Sequence, residues 1–418
     1  MPHGQESPRR ASLAAVVGAL AGLAFSLAIP TAAAQQSAAA AQRAWLEGVK
    51  QEAVDRGISR KTVSAALDDW EPLARVIELD QRQPEFTRTF WSYLNSAVPE
   101  QRVEQGRALL AQHKVLLRKI QRHYGIQPRF LIAIWGLETN YGSITGGFPV
   151  IDALATLAYD PRRSDFFRSQ LFDALKILDQ GHIKLENMNG SWAGAMGHVQ
   201  FMPETFRRYA VDQDGDKRRD IWNSLPDAFG SAANYLRALD WRGGETWGRE
   251  VRLPSGFDWD LASLEVRKPI GEWQRLGVRT ATGRDLPRAD IEGSIVLPGG
   301  HSGPAFLVYQ NFRAVLTWNR SLLYAIAIGH LSDRIDGKGP LVAQPAPGDR
   351  PLSRAEVTEM QRLLLALGYK VGEPDGVIGS KTRAALRGFQ QSAQLPADGY
   401  PTPALLERLR RAQQAAGG

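Results

Sequence analysis

Apolar residues recur at helical spacing from Ala38 to about Leu236, interrupted by loops that carry Gly and Pro. "AQRAWLEGVKQEAVDRG" runs to Gly57 and "QRVEQGRALLAQHKVLLRKIQRHYG" to Gly125, each a helical pattern with a terminal Gly stop. From Trp247 to about Phe306 the period shortens. "EVRLP", "RLGVRTATG" and "GSIVLPGG" are short alternating runs between Gly and Pro, which predicts a small strand-rich insert. Helix returns with "SLLYAIAIGHLSDRI". The stretch "DGKGPLVAQPAPGDRP" has no period and reads as a semi-extended linker over 337–351. A second, compact helical unit follows over 352–412, and no repeat of fixed period is present. The pattern therefore predicts a mainly α (α+β) chain with a main unit over 35–336.

Composition adds three constraints. The 418 residues, 43% hydrophobic and 23% charged, are those of a globular chain of two or three domains. Arg9-Arg10, the Ala/Leu/Val run from Ala11 to Ile29 and the Ala-x-Ala site predict a cleavable export signal over 1–34; an uncleaved anchor is the alternative. "RRASLAA" is a weak match to a twin-arginine signal, which leaves the export route open. There is no cysteine, hence no disulfide and no bacterial lipid anchor: the expected product is periplasmic and not a lipoprotein. Most of the +7 formal charge remains without residues 1–34, which hold two Arg and one Glu, and points to an anionic partner. Because the charges are dispersed, nucleic acid is not the expected one. The eleven Trp suit either sugar faces or a core.

Leu131, Ile134, Trp135 and Glu138 in "RFLIAIWGLETNYG" fall on one helical face, and Ile132, Ala133 and Leu137 cover much of the rest. A helix apolar nearly all round is a buried one, so Glu138 enters the core side near its end. An isolated carboxylate there is costly, and its pKa should rise until it holds a proton near neutrality, as a general acid must. From the helix alone, a Glu that pairs with Arg in a buried network is the simpler reading. A second segment, "SWAGAMGHVQFMPETF", packs small residues that let the backbone approach a neighbour closely, and offers the Ser191 hydroxyl and the Gln200 amide.

Together these segments resemble the membrane-bound lytic transglycosylase B family. "VDQDGDKRRDIWNSLPDAFGSAANYL" and "VYQNFRAVLTWNRSLLYAIAIGHL" continue the likeness in the family's order, over roughly Ala41 to Ile335. The resemblance implies a lysozyme-like helical domain with added subdomains lining a groove. It implies cleavage of the β-1,4 bond between N-acetylmuramic acid and N-acetylglucosamine in peptidoglycan, closing a 1,6-anhydro ring. Glu138 would be the sole catalytic carboxylate, first acid and then base, with the substrate's acetamido group in place of a second one. Ser191 matches the serine that hydrogen-bonds and orients the Glu, and Gln200 a groove residue near the sugar. Asn319 and Tyr324 match residues beside the acetamido group and the Glu. Trp318 stands where the family often has Tyr; stacking survives that exchange, whereas a hydroxyl contact would not. His198 falls at a variable family position and receives no role.

Alternatives stay open. A hydrolytic muramidase would need Asp152 or Asp165, and an N-cap is the simpler job for Asp152. A non-catalytic wall-binding protein is the third reading. The acidic loop places Asp212, Asp214, Asp216 and Asp220 in an EF-hand register, but Lys217 and Asn223 break it at positions 6 and 12, beside Arg218 and Arg219. The resemblance adds Asp227 as the loop's closing ligand, though this chain carries one extra residue before it. Asp212, Asp214, Asp216 and Asp227 thus form a candidate structural calcium site, with a solvated acidic turn as the simpler reading and no cofactor required for the chemistry. The segment "MQRLLLALGYKVGEPDGVIGSKTRAALRGFQ" resembles the three-helix peptidoglycan-binding domain of wall enzymes. Expected partners are therefore glycan strands, with cell-wall synthesis enzymes a further candidate class and no stable membrane anchor.

Overall fold

The structure, a computed structural model, describes residues 32–81, 88–346 and 350–417. All but the last three residues of the expected export signal lie outside them. The chain falls into two compact units, residues 1–49 and 50–418. In the first, the described residues open helix α1 (Ala32–Asp55), which ends in the second. Among the described residues no helix is long and apolar enough to cross a membrane.

The second unit is mostly helical. Short helices α2 (Arg60–Leu67), α3 (Ala74–Gln81) and α4 (Phe90–Ala97) precede α5 (Glu100–Gln112), α6 (Lys114–Tyr124) and α7 (Pro128–Thr139). The α5–α6 stretch, a single periodic run in the sequence, breaks at His113 (φ −95°, ψ 16°). The His113 ring packs edge-on to Trp135 and Phe229, 6.0 and 6.2 Å away, at this break. Helix α6 stops at Gly125, whose φ of 79° only Gly adopts freely. Next come α8 (Val150–Tyr159), α9 (Ser164–Asp179), α10 (Pro203–Tyr209) and α11 (Leu225–Ala238). Asp152 lies in the first turn of α8, whose N-cap is Pro149, so it does not cap that helix.

A five-stranded antiparallel sheet fills the expected insert. Its strands are β3 (Gly248–Arg252), β4 (Lys268–Pro269), β5 (Arg279–Thr280), β6 (Glu292–Val296) and β7 (Ala305–Val308), in the order β4-β6-β7-β3-β5. A helix, α12 (Ile270–Arg275), packs within it, and Trp273, Ile295, Leu307 and Tyr309 build its core. A smaller pair, β1 (Phe148–Pro149) and β2 (Asn189–Gly190), ties the start of α8 to the loop before α10. Helices α13 (Gln310–Trp318) and α14 (Leu322–Ile335) then return to the main body, where α14 packs along α7.

Three helices close the chain: α15 (Arg354–Ala366), α16 (Ser380–Ser392) and α17 (Pro403–Gly417). Leu364, Leu386, Phe389, Leu406 and Leu409 form their separate core. Ser353 and Glu356 make a reciprocal capping box at the start of α15. Buried Gln361 and Gln390 pin the loops by bonding to their backbone at Gly376, Val377 and Gly399. The stretch read as a linker is partly docked, since the Val342 and Ala343 amides both donate to the Glu250 carboxylate on β3.

Candidate active site

Helix α7 starts with Pro128 at its first position, where the missing N–H costs nothing, and ends at Asn140 in the left-handed region. Every residue from Phe130 to Gly136 is buried, enclosed by α5, α6, α11 and α14. Glu138, one turn on, is only partly buried. Burial raises its carboxyl to about 7, against the lowering effect of two hydrogen bonds from Tyr324 and Trp318. The same burial, with the carboxylate beside it, holds the Tyr324 hydroxyl well above its ordinary value, so the phenol stays protonated and donates. No charged side chain is among the groups acting on Glu138. The buried Arg pairing that the helix alone favoured is not formed among the described residues.

Both donors reach one oxygen. Tyr324 Oη donates to Glu138 Oε1 at 2.5 Å, and Trp318 Nε1 donates to the same atom at 3.0 Å. They arrive from the corner between α13 and α14: Trp318 ends α13, and Tyr324 lies in the first turn of α14. Ser321 caps α14 by accepting the Tyr324 amide, and Asn319 Oδ1 accepts the Ser321 amide. Asn319 is exposed at this corner. The indole N–H of Trp318 thus supplies a donor to Glu138 where a Tyr hydroxyl is absent.

Ser191 and Gln200 lie in the loop between β2 and α10. Ser191 Oγ accepts the Ala195 amide at 3.0 Å. It makes no hydrogen bond to Glu138 among the described residues. Ser191 and Ala195 also pair through their backbones, which folds the loop back on itself. Gln200 holds an unusual φ of 49°, and its Nε2 donates to the Thr145 and Gly197 carbonyls. Its amide nitrogen is thus committed to the protein. Asn140 (φ 48°) and Tyr141 (φ 59°), just past Glu138, share this conformation. Strained non-Gly residues thus occur both just past Glu138 and in the loop tied to its helix through His198.

Two features were not legible. Trp135 Nε1 donates to His198 Nδ1 at 3.0 Å, joining the Glu138 helix to the Gln200 loop. Tyr235 lies 5.2 Å from Trp318 and stacks on Tyr209 at 4.6 Å, forming an aromatic wall with Phe201. In the sequence Tyr235 is one more apolar position at helical spacing, and nothing pairs His198 with a residue sixty-three positions away.

The acidic loop gathers carboxylate oxygens of Asp212, Asp214, Asp216 and Asp227, all within 4.8 Å of one another. Buried Asp227 accepts the Gln213, Asp214 and Asp220 amides, and its carboxyl is raised by that burial. Asp220 is turned instead onto the Trp222 and Asn223 amides. Four hard oxygen donors fit a calcium ion, and the positive φ of Lys217 supplies the turn where an EF-hand has Gly.

A partly buried carboxyl raised to about 7, near the end of a buried helix, is a candidate general acid. Residues 41–333 match the family described as Transglycosylase SLT domain, and the chain belongs to it; the fold is lysozyme-like. Residues 353–409 match the putative peptidoglycan binding domain. Among individual proteins, the chain is 29% identical over 301 residues to membrane-bound lytic murein transglycosylase B of Escherichia coli, covering 67% of this chain and 79% of that protein. SltB3 from Pseudomonas aeruginosa, solved in complex with NAG-anhNAM-pentapeptide, is 50% identical with a TM-score of 0.85, over 88% of this chain and 99% of that one. Slt35 of Escherichia coli, solved in complex with calcium, is 26% identical with a TM-score of 0.61, over 70% and 92%.

Proposed function

We propose that this enzyme cleaves the β-1,4 bond between N-acetylmuramic acid and N-acetylglucosamine in peptidoglycan and leaves a 1,6-anhydromuramic end, with Glu138 as its single acid and base. The observation that carries the reading is the lone, partly buried Glu138 carboxyl, raised to about 7 with no second carboxylate acting on it. SltB3 has been solved with NAG-anhNAM-pentapeptide and with NAG-NAM-pentapeptide, which supports the same substrate class here.

In the first step Glu138 gives its proton to the glycosidic oxygen as the C1–O bond breaks, and the 2-acetamido oxygen stabilises the cationic C1. In the second, the Glu138 carboxylate takes the proton from the muramic O6 as that oxygen bonds to C1. No water enters, and the enzyme ends as it began. A raised pKa serves both steps, since a carboxyl near 7 is a usable acid before cleavage and a usable base after it. Tyr324 and Trp318 stabilise the carboxylate between the two steps through their donated hydrogen bonds. Gln200, Asn319 and Ser191 would line the substrate groove rather than act on the Glu.

Asp212, Asp214, Asp216 and Asp227 would hold a structural calcium ion that stiffens the loop before α11. The C-terminal helices would grip the wall and raise the local concentration of glycan at the groove. Wall substrate implies export to the periplasm.

Glu138→Gln tests the reading. The amide cannot donate or accept the transferred proton, so turnover of purified sacculi should fall by roughly 10²- to 10⁴-fold. Mass spectrometry of wild-type digests should show muropeptides lighter by one water than hydrolytic products. Hydrolytic masses would instead favour a muramidase.

A further inference from the structure

We propose that Trp318 is a positioning residue that, with Tyr324, occupies Oε1 of Glu138 and so confines the transferred proton to Oε2. The inference rests on the acid-base reading of Glu138 and adds which oxygen does the work. Oε1 receives both protein donors, at 2.5 and 3.0 Å, whereas Oε2 has no protein hydrogen-bond partner among the described residues.

The argument turns on what an indole can do. A tyrosine hydroxyl both donates and accepts, so it can rotate to receive a proton carried by its neighbour. The indole N–H only donates. A proton placed on Oε1 would point at the Trp318 N–H and lose that hydrogen bond. With the proton on Oε2, Oε1 acts as the carbonyl oxygen of the acid and accepts from both residues. After the first transfer the carboxylate charge rests largely on Oε1, where both donors already point, and Oε2 is ready to take the O6 proton. One oxygen therefore gives and receives, and the carboxyl need not rotate between steps.

Trp318 is fixed well enough for this. Its ring lies 5.3 Å from Phe201 and 5.2 Å from Tyr235, and Tyr235 is stacked on Tyr209. Other titratable groups on the helices against α7 are committed elsewhere. Arg102 of α5 binds the Ala97 carbonyl and Asn140, and Tyr124 of α6 binds Gln213. His113, between α5 and α6, packs on Trp135. Asp227 of α11 is held by backbone amides, and burial pushes the imidazole of His330 on α14 down to about 4. Tyr93 of α4 acts on the Tyr324 hydroxyl and not on the acid directly.

The test is the pH dependence of kcat/KM for the full chain on a defined muropeptide oligomer. Trp318→Phe removes the donor and keeps an aromatic ring. The carboxylate loses one stabilising hydrogen bond, so the alkaline limb should move up by roughly half a unit to one unit, with kcat falling more than KM rises. Trp318→Tyr restores a donor and should bring the limb back. Benzothienylalanine at position 318 keeps the indole shape without the N–H, and should reproduce the Phe profile even if Phe itself loosens the fold. Wild-type-like limbs in both donor-free variants, with only KM raised, would overturn the proposal and leave Trp318 a stacking platform. The underlying reading fails separately, if Glu138→Gln retains turnover.

Discussion

Glu138 is held in a compromise between burial, which favours the neutral acid, and two hydrogen bonds, which favour the carboxylate. Burial wins, and the carboxyl sits at about 7 instead of 4.5. The folded state therefore holds this proton more tightly than the unfolded chain does. Stability from this group is fully present below pH 4.5, is lost as pH rises toward 7 and stays lost above it. Glu138→Gln keeps an oxygen for both donors and never ionises. Calorimetry should find the variant similar to wild type at pH 4 and more stable at pH 8, by no more than about 3 kcal/mol. At this scale the sequence was informative because a carboxylate in an apolar helix is costly wherever the helix packs. It was silent on Trp318, because the indole reaches Glu138 across 180 residues.

At the scale of elements, the site depends on how closely the loop carrying Ser191 can approach α8. A Cβ at Gly190 would stand 2.2 Å from the Ala195 carbonyl oxygen and 2.9 Å from Val150 Cγ2. The first is a backbone atom that cannot move aside alone. Gly190→Ala should cost about 1–3 kcal/mol in thermal or denaturant unfolding and reduce turnover with it, because the same loop places Ser191 and Gln200. The run of small residues was visible in the sequence, but its partner was not. The α5–α6 break shows the same limit: the apolar period continues through His113, and the distant rings of Trp135 and Phe229 that pack on it there are not visible in the sequence.

At the scale of the whole molecule, the C-terminal helices are joined to the sheet by a small polar latch. The His301 amide and Nδ1 both bond to Asp398 Oδ2, at 2.6 and 2.7 Å, while Gln390 and the Tyr400 amide hold Oδ1. His301→Ala removes one of these bonds without touching any residue bonded to Glu138. Amide exchange should quicken around residues 299–303 and 396–401 while α7 stays protected, with a stability change of about 0.5–1.5 kcal/mol. Cleavage of a small soluble substrate should be unaffected. Together with Glu250 and the linker amides, this contact means that the two modules do not hang on a free tether.

Periodicity, Gly stops and binary pattern predicted the mainly helical body, the strand-rich insert and the final helical unit, though not the α5–α6 break, because burial repeats along the chain with each element's own period. The costly surroundings of Glu138 were legible for the same reason, whereas its candidacy as the acid came from the resemblance, since the helix alone favoured an Arg-paired Glu. What bonds to Glu138, and how the C-terminal unit meets the sheet, were decided only by the tertiary structure. Those contacts join residues tens to hundreds of positions apart, and no local pattern encodes which distant groups the packed core will bring within three ångströms.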